Sequence, residues 1–363
     1  MLVAIIGPAC SGKTKVAEFL RKHHGFQLAC LSRPHLAGPS SLPSNLLIFD
    51  SAEQLLEHAT AHWRDNIVTL DLNTSWSLGL FEKRPFFLLV SVDAPLGLRW
   101  NRSRIKSLQL GSPPQLSLED FIVQDDSTLY GYPCPSPTQP ACCDQSPTLS
   151  DGQSRSSHSS LVRANGTIAS TSSESDSLSL LQSRSHLRIL NSFTTTEELD
   201  AHLRGLDLPS HHRLRPTWDT YFISLCTLAS LRSNCMKRRV GAVLVRSNRV
   251  LSTGYNGTPR GLLNCNEGGC ARCNASATCG SALDECLCLH AEENALLEAG
   301  RDKGGAEGTV IYCNTCPCLR CAVKIVQTGV KEVIYQLAYS MDDRSAQIFA
   351  DAGVVFRQYT PPT

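Results

Sequence analysis

The carboxyl-terminal part of the chain alternates helix-like and strand-like stretches from about residue 216. Residues 218–232 have helical spacing, and the apolar runs 239–245 and 249–253 are predicted strands of a hairpin that turns at Ser247 and Asn248. A cysteine-rich loop follows. Beyond it the pattern predicts helices from His290, from Cys318 and over 342–351, and strands at 309–313, 332–336 and around Val354. This alternation predicts a layered α/β sheet with helix N-termini near strand ends.

The amino-terminal part begins with a buried-strand run, residues 3–6, which leads through a glycine-rich segment into a helix at 15–22. The segment has the Gly-x-x-x-x-Gly-Lys-Thr pattern of a phosphate-binding P-loop. In such a loop the backbone N–H groups surround phosphates, the lysine bridges them and the threonine touches Mg²⁺. The candidate nucleotide-binding residues are therefore Gly7, Gly12, Lys13 and Thr14.

Later strands are predicted at 67–71, with Asp71 as a candidate magnesium-side residue, and at 86–92. This layout resembles small-molecule kinases of the dephospho-coenzyme-A and adenylate kinase kind. The resemblance implies a parallel-sheet domain with an arginine-bearing lid and, late in the fold, a strand and helix that match 186–191 and 196–199. Candidates for the lid are Arg99, Arg102 and Arg104.

The matched strand and helix extend the kinase-like domain over residues 1–207, followed by a linker at 208–216 and a second domain at 217–363. Residues 134–185 would form an insertion in the first domain. This segment is rich in Ser, Pro, Thr and Gln and poor in large apolar residues, so we expect it to be disordered. Because it interrupts the substrate side, a nucleotide-sensing or scaffold role stays open beside phosphoryl transfer.

Two short motifs in the second domain carry the most specific chemical signal. His290 and Glu292 form an H-x-E pair, and Cys318 and Cys321 follow Pro317 in a P-C-x-x-C pattern. One imidazole and two thiolates give zinc three protein ligands and leave the fourth position for water, which is the arrangement of a catalytic site. Glu292 is predicted to shuttle protons and not to bind the metal. Taken alone, a C-x-x-C pair could also be redox-active or half of a structural zinc site.

A second metal site is predicted in the cysteine-rich loop. Its C-x-x-C knuckle and one earlier cysteine need one more thiolate to complete a closed structural zinc site, and that thiolate could come from either of two cysteines downstream. The ligands would be Cys265, Cys270, Cys273 and Cys288, with Cys286 as the alternative fourth ligand. Free buried thiols are the competing interpretation. Cys313 is predicted to be a core residue, and the role of Cys316 is open.

Composition narrows the choice of partners and compartment. The chain has 363 residues, enough for two domains with separate cores, and its net charge of +1 gives no basic footprint for nucleic acid. Ten of its 17 cysteines fall between Cys265 and Cys321, a clustering that favours metal binding in a reducing compartment. The apolar opening is too short for a signal peptide, and no apolar run approaches a membrane span. We therefore expect a soluble cytoplasmic protein, with the nucleus as an alternative location and no membrane partner.

With these motifs, residues 218–357 resemble the deoxycytidylate (dCMP) deaminases, especially their fungal form. The resemblance rests on residues 254–261 (GYNGTPRG), 288–295 (CLHAEENA) and 316–321 (CPCLRC). It implies a cytidine-deaminase-like α/β/α fold and zinc-dependent hydrolysis of dCMP to dUMP and ammonia, which supplies dUMP for dTTP synthesis. It also implies a homo-oligomer, usually a hexamer, activated by dCTP with Mg²⁺ and inhibited by dTTP.

The first of these motifs separates the chain from other deaminases and gives candidate nucleotide contacts. Asn256 offers an amide to sugar or base, Gly257 lets backbone approach a ligand, and Arg260 offers a phosphate fork. Tyr339 matches the family's aromatic residue that closes on the deoxyribose, although it could simply pack. A basic cluster between a predicted helix and strand is a second phosphate or effector contact, or an ordinary solvated surface. It consists of Arg232, Lys237, Arg238 and Arg239.

Three other functions compete with a metabolic dCMP deaminase. A nucleic-acid editing cytidine or adenosine deaminase shares the zinc chemistry, but its basic channel and stacking aromatics are not evident at a net charge of +1 and 6% aromatic residues. A regulatory protein with a degenerate deaminase fold is opposed by the intact zinc and shuttle motifs. A bifunctional deaminase and nucleotide kinase would use the P-loop for phosphoryl transfer.

Overall fold

A computed structural model describes residues 1–31, 46–109, 116–131, 176–275, 286–300, 304–338 and 342–361. The chain divides into two compact units, residues 1–214 and 215–363. Within the predicted linker 208–216, His211–Leu214 form a short helix. None of the helices in these described ranges combines the length and apolar character needed to cross a membrane.

The first unit contains one parallel sheet flanked by helices. Its elements in chain order are β1 (Leu2–Ile6), α1 (Lys13–His24), β2 (Gln27–Cys30), β3 (Leu46–Ile48), α2 (Ala52–Ala61), β4 (Ile67–Thr69), α3 (Ser75–Phe81), β5 (Phe87–Asp93), α4 (Leu96–Gln109), α5 (Leu118–Tyr130), α6 (Leu178–Ser183), β6 (Leu187–Leu190), α7 (Thr196–Leu206) and α8 (His211–Leu214). The strand order is β3-β2-β4-β1-β5-β6, so β1 lies inside the sheet between β4 and β5.

Strand β1 shows why this sheet is covered on both faces. All five of its residues are buried, and successive side chains of a strand point to opposite faces. Val3 and Ile5 belong to the apolar core that includes residues of α1 and α7, whereas Leu2, Ala4 and Ile6 belong to the core that includes residues of α2, α3 and α6. A strand buried on both faces needs a continuous apolar run, which the sequence provides.

Helix α6 differs from the predicted disorder of residues 134–185. Residues 134–175 of that stretch lie outside the described residues, but α6 is described. Leu178 and Leu181, three residues apart on the helix, are 7% and 1% exposed and pack in the same core as α2 and α3. The carboxylate of Asp176, just before α6, accepts a hydrogen bond from the backbone N–H of Ser75. The prediction of disorder therefore does not hold for α6. Its two leucines lie on one face of the helix, and that face packs into the core of the unit.

The second unit contains a mixed five-stranded sheet between helices. Its elements are α9 (Trp218–Ser230), β7 (Gly241–Arg246), β8 (Arg249–Tyr255), a 3₁₀ turn (Cys265–Glu267), α10 (Ala271–Asn274), α11 (Ala291–Ala299), β9 (Val310–Thr315), α12 (Leu319–Gln327), β10 (Glu332–Leu337), α13 (Asp342–Asp351) and β11 (Val355–Gln358). The strand order is β11-β10-β9-β7-β8. Strand β7 is antiparallel to β8 and β9, whereas β9, β10 and β11 run parallel.

The two faces of this sheet bury different helices. Residues of α9 pack with Val243 and Tyr312 in one core, and residues of α11, α12 and α13 pack with Leu244 and Ile311 in the other. This arrangement confirms the predicted layered α/β class and the predicted order of helices and strands in this part of the chain.

The hairpin between β7 and β8 turns where the sequence predicted. Ser247 and Asn248 have φ values of 48° and 60°, so both central residues lie in the left-handed region of a type I′ turn. Strand β8 then passes close to α11, since a side chain at Gly254 would place its Cβ 2.0 Å from the carbonyl oxygen of Ala291. This close approach places the end of β8 beside the N-terminus of α11, where the candidate site lies.

Candidate active site and a second thiol cluster

Three predicted metal ligands meet at the N-termini of two helices. His290 is the N-cap residue of α11, Cys318 is the N-cap residue of α12, and Cys321 lies in the first turn of α12. The Sγ atoms of Cys318 and Cys321 each lie 3.4 Å from Nδ1 of His290. Sulfur and nitrogen ligands of a tetrahedral zinc ion are about 3.5 Å apart, given typical metal–ligand distances. The three side chains therefore fit one zinc ion and leave a fourth position open.

Charge within this group favours metal binding. A hydrogen bond from the Cys321 thiol and the nearby His290 ring lower the pKa of Cys318 to about 3, so Cys318 is the ionised thiol of the pair. The N-terminal end of a helix also favours an anion, because its first N–H groups lack intrahelical partners. A thiolate at this position is the form in which cysteine binds zinc.

Glu292 lies in the first turn of α11 beside these ligands. Glu292 is only 3% exposed, and this burial raises the pKa of its carboxyl group. The group of potential metal ligands formed here comprises His290, Cys318 and Cys321, without Glu292. A buried carboxyl group that retains a proton more readily than usual is suited to acid–base chemistry.

Contacts between neighbouring elements hold this arrangement. Glu293 forms a salt bridge of 2.5 Å with Lys324, which links α11 to α12. The Ser345 hydroxyl in α13 donates to the carbonyl oxygen of Pro317 at 2.9 Å. Pro317 itself precedes the N-cap Cys318, so it lies just before the helix and not in its first turn.

The motif at 254–261 meets the site from the end of β8. Gly257 pairs with Leu289, the residue before His290, in an isolated antiparallel bridge. Asn256 is buried, and its amide oxygen accepts from the Val240 N–H at 2.9 Å while its amide nitrogen donates to the Arg238 carbonyl at 2.8 Å. Its side chain thus holds the segment before β7, a role that the sequence did not indicate.

The remaining predicted nucleotide contacts differ in their surroundings. Arg260 is exposed in the loop after β8, and Tyr339 lies outside the described residues. Three of the four basic residues of the predicted effector cluster line a cavity of about 400 Å³. Lining residues include Ser233, Asn234, Lys237, Arg238, Arg239 and Asn266.

Six cysteines form a second thiol cluster, which we call the insert cluster. It comprises Cys235, Cys265, Cys270, Cys273, Cys286 and Cys288. The five cysteines named from the sequence are all in it, but Cys235 was missed. It lies between α9 and β7, 30 residues before Cys265 and without a C-x-x-C partner, so no spacing rule identifies it. Hydrogen bonding from the Cys288 thiol lowers the pKa of Cys235 to about 4. Cys313 lies in the core, as predicted, and Cys316, whose role the sequence left open, is also buried in that core.

In the first unit, the predicted P-loop connects β1 to α1 at the carboxyl end of the sheet. Gly12 has φ +100° and caps α1, and the Lys13 ammonium donates to the Gly7 carbonyl at 2.7 Å. The Asn191 amide donates to the Ser11 carbonyl at 2.8 Å. The chain leaves β1 between β4 and β5, which is the kind of position where ligands bind in open α/β sheets.

The arginines and the acidic residue predicted near this loop are engaged with protein groups. Arg99 forms a buried two-bond pair with Asp125 of α5, and Arg102 donates to the Phe193 carbonyl at 2.7 Å and to the Cys10 carbonyl at 3.3 Å. Asp71 accepts from the Leu31 N–H at 2.9 Å. Two of the three predicted lid arginines, Arg99 and Arg102, therefore bond to protein groups around the loop, whereas Arg104 is exposed.

Comparisons with known proteins find a matching family, related sequences and one related structure. Residues 216–337 match the family described as cytidine and deoxycytidylate deaminase zinc-binding region. The chain is 41% identical to deoxycytidylate deaminase of Schizosaccharomyces pombe, over 99% of this chain and 98% of that protein. It is 39% identical to deoxycytidylate deaminase of Saccharomyces cerevisiae, over 99% and 97% respectively. A dCMP deaminase from cyanophage S-TIM5, solved with dCMP and dUMP, is 29% identical with a TM-score of 0.34, covering 40% of this chain and 98% of that one.

Proposed function

Because this chain belongs to the deoxycytidylate deaminase family, we propose that it hydrolyses dCMP to dUMP and ammonia with zinc bound by His290, Cys318 and Cys321. The observation that carries the proposal is the meeting of these three ligands with the buried Glu292 at two helix N-termini. The product dUMP is the precursor of dTTP, so the reaction serves pyrimidine nucleotide synthesis.

The chemistry requires water to replace an amino group on the pyrimidine ring. Zinc, when bound, supplies Lewis acidity that lowers the pKa of water toward neutrality. Glu292 would take one proton from the attacking water and give it to the ring nitrogen of the base. It would then take the second proton from the new hydroxyl group and give it to the amino group, so that the C–N bond breaks, ammonia leaves and the carbonyl of dUMP remains. Its raised pKa suits both steps, because the carboxyl group must bind and release a proton in each turnover.

The test of this proposal is ammonia release from dCMP, deoxycytidine, cytidine and a cytosine-containing single-stranded DNA, assayed side by side. We expect turnover with dCMP at least about 100-fold faster than with the nucleosides, since charge-assisted hydrogen bonds to a phosphate contribute roughly 1.5–3 kcal/mol each. Turnover of the single strand alone would instead establish the editing alternative and overturn the proposed substrate.

Regulation by triphosphates forms a second layer of the proposal. The cavity lined by Lys237, Arg238 and Arg239 offers positive charge to a polyphosphate, and the fungal relatives share the whole length of this chain. We propose that dCTP with Mg²⁺ activates the enzyme, that dTTP inhibits it and that it assembles as a homo-oligomer of hexamer type in the cytoplasm. The same ammonia assay, run with each triphosphate, separates these effects from the chemistry of the active site.

For the amino-terminal unit we propose phosphate or nucleotide binding at the loop from Gly7 to Thr14. The loop follows a buried central strand and opens into α1, and both features suit a P-loop. A nucleotide-sensing role of this unit is favoured over phosphoryl transfer, because the Arg99 side chain is already paired with Asp125.

In the carboxyl-terminal unit, our candidates for contacts to the substrate stay Asn256, Gly257, Arg260 and Tyr339.

Replacing Lys13 with alanine is expected to weaken binding of ATP–Mg²⁺ by about 10-fold to 100-fold, because a charge-assisted phosphate contact is lost. Isothermal titration of the full chain measures this effect, and Lys15→Ala is the matched control, since Lys15 is exposed and paired with Glu18 at 2.8 Å. Equal affinity in both variants, or no binding by the wild type, would contradict the proposal. Loss of ATP-dependent phosphoryl transfer in Lys13→Ala with deamination intact would establish a kinase.

A further inference from the structure

The insert cluster gathers thiols from three separate parts of the chain. Cys235 follows α9, the next three cysteines surround the 3₁₀ turn and α10, and Cys286 and Cys288 lie just before His290. Cys265 and Cys270 are fully buried, and no pair in the cluster forms a disulfide, since the described cysteines are all free. Four of the six thiols are buried and two are partly buried, and thiolates gathered in this way are the ligands of structural zinc sites.

The six sulfurs form two overlapping groups of four. One group comprises Cys235, Cys265, Cys273 and Cys288, and the other comprises Cys270, Cys273, Cys286 and Cys288. In each group all Sγ atoms lie within 4.8 Å of one another, and Cys273 and Cys288 belong to both. We propose that the insert cluster binds two zinc ions, one in each group, with the thiolates of Cys273 and Cys288 bridging them.

The count of bonds supports two ions over one. A single zinc ion takes four ligands and would leave two of the six thiols without a metal. Two tetrahedral ions need eight bonds, and six thiolates supply eight when two of them are shared. The two shared residues are the ones that a bridged arrangement requires, because they alone belong to both groups.

The distances agree with this arrangement. Two sulfur ligands of a tetrahedral zinc ion lie about 3.8 Å apart when each Zn–S bond has its usual length. The Sγ atom of Cys273 lies 3.9 Å from that of Cys235, 3.7 Å from that of Cys286 and 3.8 Å from that of Cys288. The sulfurs of Cys270 and Cys286 are 4.0 Å apart. Cys273 thus has sulfur neighbours at ligand spacing in both groups, as expected of a bridging ligand.

Surrounding donors would stabilise the negative charge of the cluster. Two divalent ions with six thiolates carry a net charge of −2, so hydrogen-bond donors and cations nearby are favourable. The N–H of Met236 lies 3.5 Å from the sulfur of Cys265, and the side chain of Arg272 interacts with Cys286 and Cys273. Two further donors serve one terminal ligand, because the backbone N–H groups of Lys237 and Arg238 both donate to Cys235.

The cluster would also connect two functional segments. Cys235 lines the basic cavity, and Cys288 lies two residues before the catalytic ligand His290. Metal binding would fix both segments to the insert, because each ion joins residues that are distant in sequence. The insert cluster therefore has a structural role for the cavity and for the start of α11, apart from the chemistry of the active site.

The experiment counts zinc in the purified full chain by mass spectrometry and examines its coordination by X-ray absorption. Wild-type protein is expected to contain three zinc ions per chain. The Cys318→Ala variant is expected to contain two, with sulfur-only coordination and a zinc–zinc scattering contribution. This variant separates the inference from the catalytic proposal, since its count depends only on the insert cluster. One ion per chain in that variant, or two without zinc–zinc scattering, would overturn the bridged pair.

Single substitutions then identify the two groups. In the Cys318→Ala background, Cys235→Ser and Cys286→Ser are each expected to lower the count from two ions to one, because each removes a terminal ligand of a different ion. Cys226→Ser is the control from the same unit and Cys30→Ser a control from the other unit, since neither belongs to the two groups, and both are expected to retain two ions. If Cys235→Ser retains both ions, Cys235 is not a ligand and the bridged arrangement fails.

Discussion

Replacing Glu292 with glutamine is expected to lower kcat for dCMP by about 1,000-fold, within the range that general acid–base catalysis contributes. The side chain keeps its shape and its buried position in α11, but an amide cannot carry the proton between water and base. Since Glu292 is outside the group of three metal ligands, zinc content should not change. The loss corresponds to about 4 kcal/mol of transition-state stabilisation. Ammonia release and metal analysis on the same preparation measure both quantities.

The neighbouring residue provides a control for this variant. Glu293→Gln weakens a partly exposed salt bridge to Lys324, which is expected to cost no more than about 1 kcal/mol of stability and to leave kcat within about threefold of the wild type. Retention of more than a tenth of wild-type kcat in Glu292→Gln would show that another group moves the proton. Loss of zinc in Glu292→Gln would show that its carboxylate takes part in metal binding.

Replacing Cys318 with alanine is expected to remove the catalytic zinc and reduce deamination to background. Cys318 is the thiolate at the start of α12, and the two remaining ligands cannot complete a stable tetrahedral site. Zinc content per chain should fall by one, and added zinc should not restore activity at concentrations that saturate the wild-type protein. Both results would follow from the loss of one of the three protein ligands of the zinc ion.

A second cysteine distinguishes this effect from a general response to losing a thiol. Cys316→Ala removes a buried thiol two residues away that is outside the three-ligand group, so zinc content and kcat should be retained. The change should cost stability only, by roughly 1–2 kcal/mol, as for a small core truncation. If Cys318→Ala keeps its full zinc content, the assigned ligand set is wrong. If Cys316→Ala loses zinc, the metal site extends beyond the residues we assign.

The sequence by itself determined the group of three potential zinc ligands, because these residues lie in short motifs whose geometry is local. Cys318 and Cys321 are three residues apart, which places both at the start of one helix, and His290 begins another. The hairpin was equally local, since Ser247 and Asn248 suit the left-handed conformation that the turn requires. Burial of β1 on both faces also followed from its uninterrupted apolar run.

Only the tertiary structure decided which distant residues meet. Cys235 enters the insert cluster through the packing of the segment after α9 against a loop some 30 residues later, and one-dimensional spacing carries no trace of that contact. Asn256 was assigned to the ligand from its motif, yet its amide is bonded to Val240 and Arg238. Leu178 and Leu181 are ordered because a core exists to receive them. In each case the contacts of the residue depend on which distant part of the chain folds against it. The start of a helix or the conformation of a turn depends instead on a few neighbouring residues in the sequence.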